Sequence, residues 1–262
     1  MIGTAGTGQS PAHVVLSPDG ERVYLTNAGD DTLGVYDAAT LEQVATVEVG
    51  AGPHGLRPSG DGEVVVVANT VAGTIDVVQT ATNEVSASIP VGDSPAQVAV
   101  DSGGDYAYVS LIGDSAVAKV DLAEQTVVSS VEVSAPPVQL YLTPDGTRLL
   151  SADQGSEETP GDTVSVFDTE AMTVAASITT GSGPHGVVVD TTGETAWVTN
   201  LYDDTVSVLD LTTNEAVATV AVGDLPNGIS YSPMPPAPGA QSITVTVPDY
   251  ADDQPDSGHD HR

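Results

Sequence analysis

The sequence predicts an all-β fold built from repeated four-stranded units, and two observations carry that prediction. The first is composition: 40% of the 262 residues are hydrophobic and only 4% are aromatic. Most of the apolar residues are Val and Ala, and Val with Thr favours pleated, half-buried strands, while 27 Gly and 18 Pro supply turns. The second is an internal repeat of 42 residues, a length that accommodates four short strands and their turns.

The repeat is marked by a proline that in most copies follows a glycine three residues earlier. Its copies are Pro11, Pro53, Pro95, Pro137, Pro184 and Pro226, so the separations are 42, 42, 42, 47 and 42 residues. The five additional residues of the fourth unit fall within the polar stretch 153–161. We expect that stretch to be a surface-loop insertion.

Each unit contains four predicted strands. In the first unit these are residues 12–17, 22–27, 32–37 and 43–49, and in the fifth they are 187–190, 195–200, 205–210 and 216–222. Four short strands repeated about every 40 residues are typical of a propeller blade. Blades packed face to face around an axis cover each other's faces, which explains consecutive valines at 64–67. We therefore predict a β-propeller of antiparallel blades.

Three motifs strengthen this interpretation. Val-Tyr-Leu-Thr-Asn occurs at 23–27 with Trp-Val-Thr-Asn at 197–200, Pro-His-Gly occurs at 53–55 and 184–186, and Ser-Pro-Asp-Gly at 17–20 corresponds to Thr-Pro-Asp-Gly at 143–146. With these motifs, residues 8 to about 232 resemble the YVTN family of β-propeller repeats. The resemblance to its surface-layer and secreted proteins implies an extracellular or cell-surface location. The cytoplasm is the alternative, since the first residues lack the pattern of a signal peptide.

The number of blades is predicted to be six, with seven as the alternative. Five units are complete, and a sixth would contain strands at 228–232 and 243–247. Residues 1–7 align with the fourth strand of a unit, so we expect them to complete the last blade and close the ring. The single domain is predicted over 1–250, followed by an acidic, His-containing disordered tail over 251–262.

The charge excludes several classes of partner. There are 37 acidic and 5 basic residues, a net charge of -32, so the clustered cations that bind nucleic acid are missing. No apolar run reaches the roughly 18 residues of a membrane span, and the absence of Cys excludes disulfides and Cys-ligated metals. The acidity fits either adaptation to high salt or the solvated surface of a secreted protein from a GC-rich genome.

Polar side chains recur where each predicted first strand enters the channel. They are His13, His54, Gln97, Gln139, His185 and Asn227. One interpretation is a polar ring at the channel mouth that binds a small ligand or ion. The alternative is that each histidine bonds the backbone of the neighbouring blade and fixes the blade angle.

Arg57 departs from the repeat pattern. The residues equivalent to it are all uncharged, namely Val15, Ala99, Tyr141, Val188 and Ser230. Because an unpaired buried charge is costly, Arg57 should either anchor an anionic ligand or pair with an Asp of a neighbouring blade.

Two further groups could bind metal ions. Calcium binding by the oxygens of the pairs Asp30-Asp31 and Asp203-Asp204 is conceivable, but no calcium-loop motif is present and bonds from Asp side chains to turn backbone are the preferred explanation. In the tail, His259 and His261 stand among carboxylates that could hold copper, nickel or zinc; the alternative is a plain acidic terminus.

The sequence contains no nucleophile elbow, His-Glu-x-x-His motif or phosphate loop. We therefore predict a non-enzymatic, monomeric binding or interaction scaffold without a cofactor, whose partner is a protein or a small molecule. One alternative is a lactonase-like or other propeller enzyme that uses His54, Arg57 and His185. Another is a metal-handling protein that uses the tail.

Overall fold

A computed structural model describes residues 4–232, which form twenty strands in five four-stranded antiparallel sheets. Each sheet contains four consecutive strands in chain order, and we call these sheets blades 1 to 5. Blade 1 contains β1 (Pro11–Leu16), β2 (Arg22–Asn27), β3 (Thr32–Asp37) and β4 (Gln43–Glu48), and blade 2 contains β5 (Pro53–Pro58), β6 (Val64–Asn69), β7 (Thr74–Gln79) and β8 (Glu84–Pro90). Blade 3 contains β9 (Pro95–Val100), β10 (Tyr106–Leu111), β11 (Ala116–Asp121) and β12 (Thr126–Glu132). Blade 4 contains β13 (Pro137–Leu142), β14 (Arg148–Gly155), β15 (Pro160–Asp168) and β16 (Thr173–Thr179), and blade 5 contains β17 (Pro184–Val189), β18 (Thr195–Asn200), β19 (Thr205–Asp210) and β20 (Glu215–Ala221).

Four buried clusters hold the blades together, one between each pair of consecutive blades. Between blades 1 and 2, for example, Leu33 and Val35 pack with Val65 and Val67, and none of the four is more than 2% exposed. A central strand therefore buries both of its faces, which is why consecutive valines suit β6. The propeller prediction and the strand positions of the complete units are confirmed.

The prediction of six blades, with seven as the alternative, is wrong for the part of the chain that the structure describes, which has five. Residues 228–232 are not a strand. A strand requires a hydrogen-bonded partner, and the expected one at 243–247 lies outside residues 4–232. The segment nevertheless packs against blade 5, because the ring of Tyr231 stacks on Trp197 with 5.4 Å between the centroids.

The expected closing strand is not observed either. Residues 4–7 are not a strand, and residues 1–3 lie outside the description. Gly6 and Gly8 disfavour strand pairing here, and the Tyr36 hydroxyl instead donates to the carbonyl oxygen of Gly6 at 3.1 Å. At the two ends of the five-blade array, Val14 of blade 1 is 65% exposed and Val217 of blade 5 is 59% exposed.

The insertion in the fourth unit lies where the sequence placed it, but it lengthens a hairpin instead of adding only a loop. The strands β14 and β15 have 8 and 9 residues, and Gly155 pairs with Pro160 at their tip. The predicted domain boundary at residue 250 and the tail at 251–262 lie outside the described residues. Within residues 4–232 no helix is long and apolar enough to cross a membrane.

Candidate functional site in the central channel

The first strand of each of the five described blades begins with a β-bulge. In blade 1 the pairing passes from Pro11 to Val14, which leaves Ala12 and His13 out of register with β2. The same shift follows the first proline in blades 2, 3, 4 and 5. Because a bulge redirects side chains and interrupts the ladder, it sets the direction of the polar residues at the channel mouth.

Hydroxyl groups from the second strands satisfy the backbone at three of these entries. Thr26 Oγ1 accepts from the backbone N–H of His13 at 3.1 Å, and Ser110 Oγ accepts from Gln97 at 3.0 Å. In blade 5, Thr199 Oγ1 accepts from Gly186 at 2.7 Å. The hydroxyls of Thr26 and Ser110 also donate to carbonyl oxygens of the next blade, at 2.6 and 2.9 Å, so they link consecutive blades.

The two histidines of the Pro-His-Gly motifs bond the segment that follows their blade. His54 Nδ1 lies 3.0 Å from the carbonyl oxygen of Ala96, and His185 Nδ1 lies 2.7 Å from that of Asn227. A carbonyl oxygen can only accept, so Nδ1 carries the proton in both rings. These are the bonds that the structural interpretation of the histidines expects.

Six of the seven residues predicted for the channel mouth line one cavity of about 520 Å³. They are His13, Arg57, Gln97, Gln139, His185 and Asn227. The seventh, His54, packs beside the cavity with its ring centroid 4.6 Å from that of His13. We call this space the mouth cavity, and the structure therefore brings the sequence candidates together.

The mouth cavity has an unusual charge for this protein. None of the described residues that line it is an Asp or a Glu, although the chain has 37 acidic residues. Arg57 is the one Lys or Arg among those lining residues. Among the described residues, the wall of the mouth cavity therefore interrupts the acidic coat of the protein.

Arg57 is partly buried, and no described residue accepts a hydrogen bond from its guanidinium. Its neighbour is Tyr141, whose ring centroid lies 6.0 Å from Cζ. Residues 4–232 contain one ion pair, Arg22 with Asp37 at 3.2 Å, so the ion pair expected as one alternative for Arg57 is not formed. Burial lowers the pKa of Arg57, with Tyr141 acting in the opposite direction, but arginine remains protonated at neutral pH.

The other basic side chains in the described residues are satisfied by protein oxygens. Lys119 Nζ donates to the carbonyl oxygen of Thr169 in the next blade at 2.8 Å. Arg148 donates to the carbonyl oxygens of Leu211 and Gly193, the latter at 3.0 Å. Arg57 differs from them because its charge faces the channel without an oxygen partner among residues 4–232.

A second cavity of about 470 Å³ shares Arg57 and Tyr141 with the wall of the mouth cavity. Its wall includes Asp101 and Asp145. The hydroxyl of Thr143 donates to Asp145 at 2.6 Å, and this bond is the main reason that the pKa of Asp145 is lowered. The Arg57–Tyr141 pair thus lines both a mouth cavity without carboxylates among its described residues and a second cavity that contains two.

The paired aspartates are occupied by loop backbone. Asp30 Oδ2 accepts from the N–H of Gln9 at 2.6 Å, and Asp203 Oδ2 accepts from Ser182 at 2.6 Å. Their neighbours Asp31 and Asp204 likewise accept from the N–H groups of Gly52 and Leu225, at 2.8 and 2.9 Å. Over residues 4–232 no three His, Asp or Glu side chains are grouped to hold a metal ion, and His259 and His261 lie outside that range.

Two buried carboxyl groups escaped the sequence prediction, those of Asp76 and Asp153. Asp153 is fully buried in blade 4, and its carboxylate accepts from Ser165 at 2.6 Å and Ser151 at 2.8 Å. Burial raises its pKa to about 6. The repeat contained the signal, because blades 1, 2 and 5 have Asn27, Asn69 and Asn200 at this position.

Comparison with known proteins supports the fold. The family model described as "YNCE-like beta-propeller" matches residues 3–232. A solved chain of Kuenenia stuttgartiensis hydrazine synthase superposes with a TM-score of 0.54 at 19% identity, covering 87% of this chain and 92% of that one. At this identity the likeness concerns the fold alone. The comparison with curated proteins gives no match.

Proposed function

This chain belongs to the YNCE-like β-propeller family, and we propose that it is a non-enzymatic binding module that holds a small organic anion in its central channel. The mouth cavity of about 520 Å³ has the usual size of a small-molecule site. The proposal concerns this cavity and the guanidinium of Arg57 at its inner end.

The observation that carries the proposal is the unpaired charge of Arg57. A partly buried guanidinium without an acceptor is costly, and a ligand carboxylate would relieve that cost. The planar fork of arginine matches a carboxylate with two parallel hydrogen bonds. The cationic side chains of Lys119 and Arg148 donate hydrogen bonds to backbone carbonyl oxygens. Arg57 donates to no such oxygen among the described residues.

The surrounding electrostatics favour the same ligand. A net charge of -32 repels anions from the general surface. The wall of the mouth cavity does not repel anions in this way, since its described residues include one arginine and no carboxylate. Attraction inside such a cleft is stronger than in bulk water because the effective dielectric constant is lower.

The alternative of a lactonase-like hydrolase receives less support. Such a reaction requires an acid or base within reach of the substrate. His54 and His185 each donate from Nδ1 to a backbone carbonyl, which supports a structural role for both rings. We retain a binding module as the proposal, with the extracellular location, the monomeric state and the adaptation to salt as predictions that accompany it.

The experiment is calorimetric titration of the full chain with acetate, glucuronate and phosphate at constant ionic strength. We expect at least one carboxylate to bind, and Arg57→Met to weaken that binding at least tenfold. Arg22→Met is the matched control, because Arg22 forms the surface ion pair with Asp37, and it should leave affinity unchanged. Binding that survives in Arg57→Met, or no binding of any of the three anions, would overturn the proposal.

A further inference from the structure

The channel-facing residues of the first strands form two tiers. The inner tier contains Arg57 and Tyr141, and the outer tier contains His13, Gln97 and Gln139, all of which line the mouth cavity. Gln139 and Tyr141 are two residues apart on β13. Since a strand rises about 3.3 Å per residue, the two tiers are about 7 Å apart along the channel.

The two glutamines of the outer tier offer hydrogen bonds without charge. Gln97 is only 3% exposed, and its Oε1 accepts from the N–H of Val98 at 2.9 Å. That bond fixes the carboxamide, and within residues 4–232 its Nε2 donates to no protein group. Gln139 is half-buried, and its side chain likewise makes no hydrogen bond to a described residue.

A carboxamide both donates and accepts, so it suits a ligand hydroxyl group, which does the same. Because Gln97 is buried and its orientation is fixed, its unused N–H is a placed donor and not a mobile surface group. The rest of the wall is largely apolar, with Val15 and Val188 at the level of Arg57. This wall suits the carbon skeleton of a ligand between its polar ends.

We infer that the ligand is a hydroxylated monocarboxylate of the sugar-acid class, whose carboxylate pairs with Arg57 and whose hydroxyl groups bond Gln97 and Gln139 about 7 Å away. This inference rests on the proposed function and specifies its ligand. Acetate would reach Arg57 but not the amides. A dicarboxylate or a phosphate dianion would bring a second negative charge that no further Lys or Arg of the described wall balances.

The test compares glucuronate, glucose, acetate and inorganic phosphate by calorimetry on the unmodified full chain. We expect glucuronate to bind at least tenfold more tightly than any of the other three, because it alone engages both tiers. This comparison does not depend on whether a variant folds. If acetate binds through Arg57 and glucuronate binds no more tightly, the inference fails while the proposed function stands; if phosphate binds best, the inference also fails.

A variant distinguishes the contribution of the outer tier to binding from that of the inner tier. Gln139→Leu should weaken glucuronate binding about tenfold, the effect of one or two lost hydrogen bonds, and should leave acetate binding unchanged. The matched control is Gln43→Leu on the exposed face of β4, which should change neither affinity. Equal losses for acetate and glucuronate in Gln139→Leu, or no loss for glucuronate, would overturn the inference. If Arg57→Met leaves all carboxylate binding intact, the proposed function fails with it.

Discussion

His54 donates from Nδ1 to the carbonyl oxygen of Ala96, 3.0 Å away in the next blade. The residue after it is Gly55, where a Cβ atom would lie 2.4 Å from the same oxygen. The pattern recurs at His185, which bonds the carbonyl oxygen of Asn227 at 2.7 Å, and a Cβ on Gly186 would lie 2.8 Å from that oxygen. In Pro-His-Gly the histidine thus supplies the bond between neighbouring segments, and the glycine lets them approach closely enough to form it.

Replacing His54 with Ala should lower the free energy of unfolding by about 1–2 kcal/mol, because it leaves the buried carbonyl of Ala96 without this donor. Urea unfolding monitored by tryptophan fluorescence measures the loss. His185→Ala is the internal comparison, and it should cost less, since Asn227 is exposed and water can replace the lost donor. A larger loss for His185→Ala than for His54→Ala would contradict this account of the motif.

Gly55→Ala should destabilise the protein by about 2–3 kcal/mol, the usual cost of forcing a methyl group into a packed site. The new Cβ would lie 2.4 Å from both the carbonyl oxygen of Ala96 and Oε1 of Gln97. The control is Gly223→Ala, where a Cβ meets nothing within 4 Å. Thermal melting of both variants checks the prediction, and equal melting temperatures would show that blades 2 and 3 are not as closely packed as this contact requires.

The repeat made most of the fold predictable. Strands such as β2 and β3 occur at the positions given by periodicity and turn residues alone. The prediction of a sixth blade was wrong for residues 4–232 because residues 228–232 have the sequence pattern of a first strand but pair with no strand there, and a strand forms only with a hydrogen-bonded partner. The closing strand was predicted from the alignment of residues 1–7 with a unit. Residues 4–7 do not form a strand, because the glycines at 6 and 8 weaken strand pairing.

The channel residues were predictable because equivalent positions of a repeat lie at the same level of a propeller. Arg57 was recognisable as the charged member of an uncharged set. The absence of an ion pair at Arg57 could not be predicted, since acceptors come from other blades and depend on side-chain geometry. Asp153 was missed because it stands at the start of the polar insertion, although β14 continues through it to Gly155.

Arg148→Met should destabilise the protein by about 1.5–3 kcal/mol, the range for hydrogen bonds to charged groups. The guanidinium of Arg148 joins blade 4 to the carbonyl oxygens of Leu211 and Gly193 in blade 5, and the substitution leaves both without this donor. Arg22→Met removes the same charge from a partly exposed ion pair and should cost no more than about 1 kcal/mol. Equal effects in chemical unfolding would contradict the assignment of Arg148 to the blade interface.

The melting temperature should rise with salt. The net charge is -32, and residues 4–232 contain one ion pair. Salt therefore weakens many repulsive interactions between carboxylates and few attractive ones. Because the Debye length falls from about 30 Å at 0.01 M to about 10 Å at 0.1 M, we expect most of the rise below roughly 0.2 M NaCl. Scanning calorimetry over a NaCl series measures it, and a melting temperature that stays constant would contradict an electrostatic origin.

Asp153→Asn should stabilise the protein at neutral and alkaline pH. The pKa of Asp153 is raised from 3.8 to about 6 in the folded state, and one pKa unit corresponds to about 1.4 kcal/mol, so the ionised carboxylate opposes folding by about 3 kcal/mol above pH 6. That penalty decreases as the pH falls through 6 and is absent below about 4, where both states are protonated. The gain from Asp153→Asn should follow the same course and vanish near pH 4.

Blade 5 shows that the amide nitrogen of an asparagine is satisfied in this environment, although Asn200 Oδ1 is buried without a partner among the described residues. Asn200 at the equivalent position donates from Nδ2 to Thr205 at 2.8 Å and to Ser207 at 2.9 Å, and these hydroxyls correspond to Thr163 and Ser165 around Asp153. Glu158→Gln is the control, because it removes one exposed charge from the same hairpin and should change stability by less than about 0.5 kcal/mol. Urea unfolding of Asp153→Asn and Glu158→Gln from pH 4 to 8 compares the two variants. A gain for Asp153→Asn that is independent of pH would mean that better packing, and not the removal of a buried charge, accounts for it.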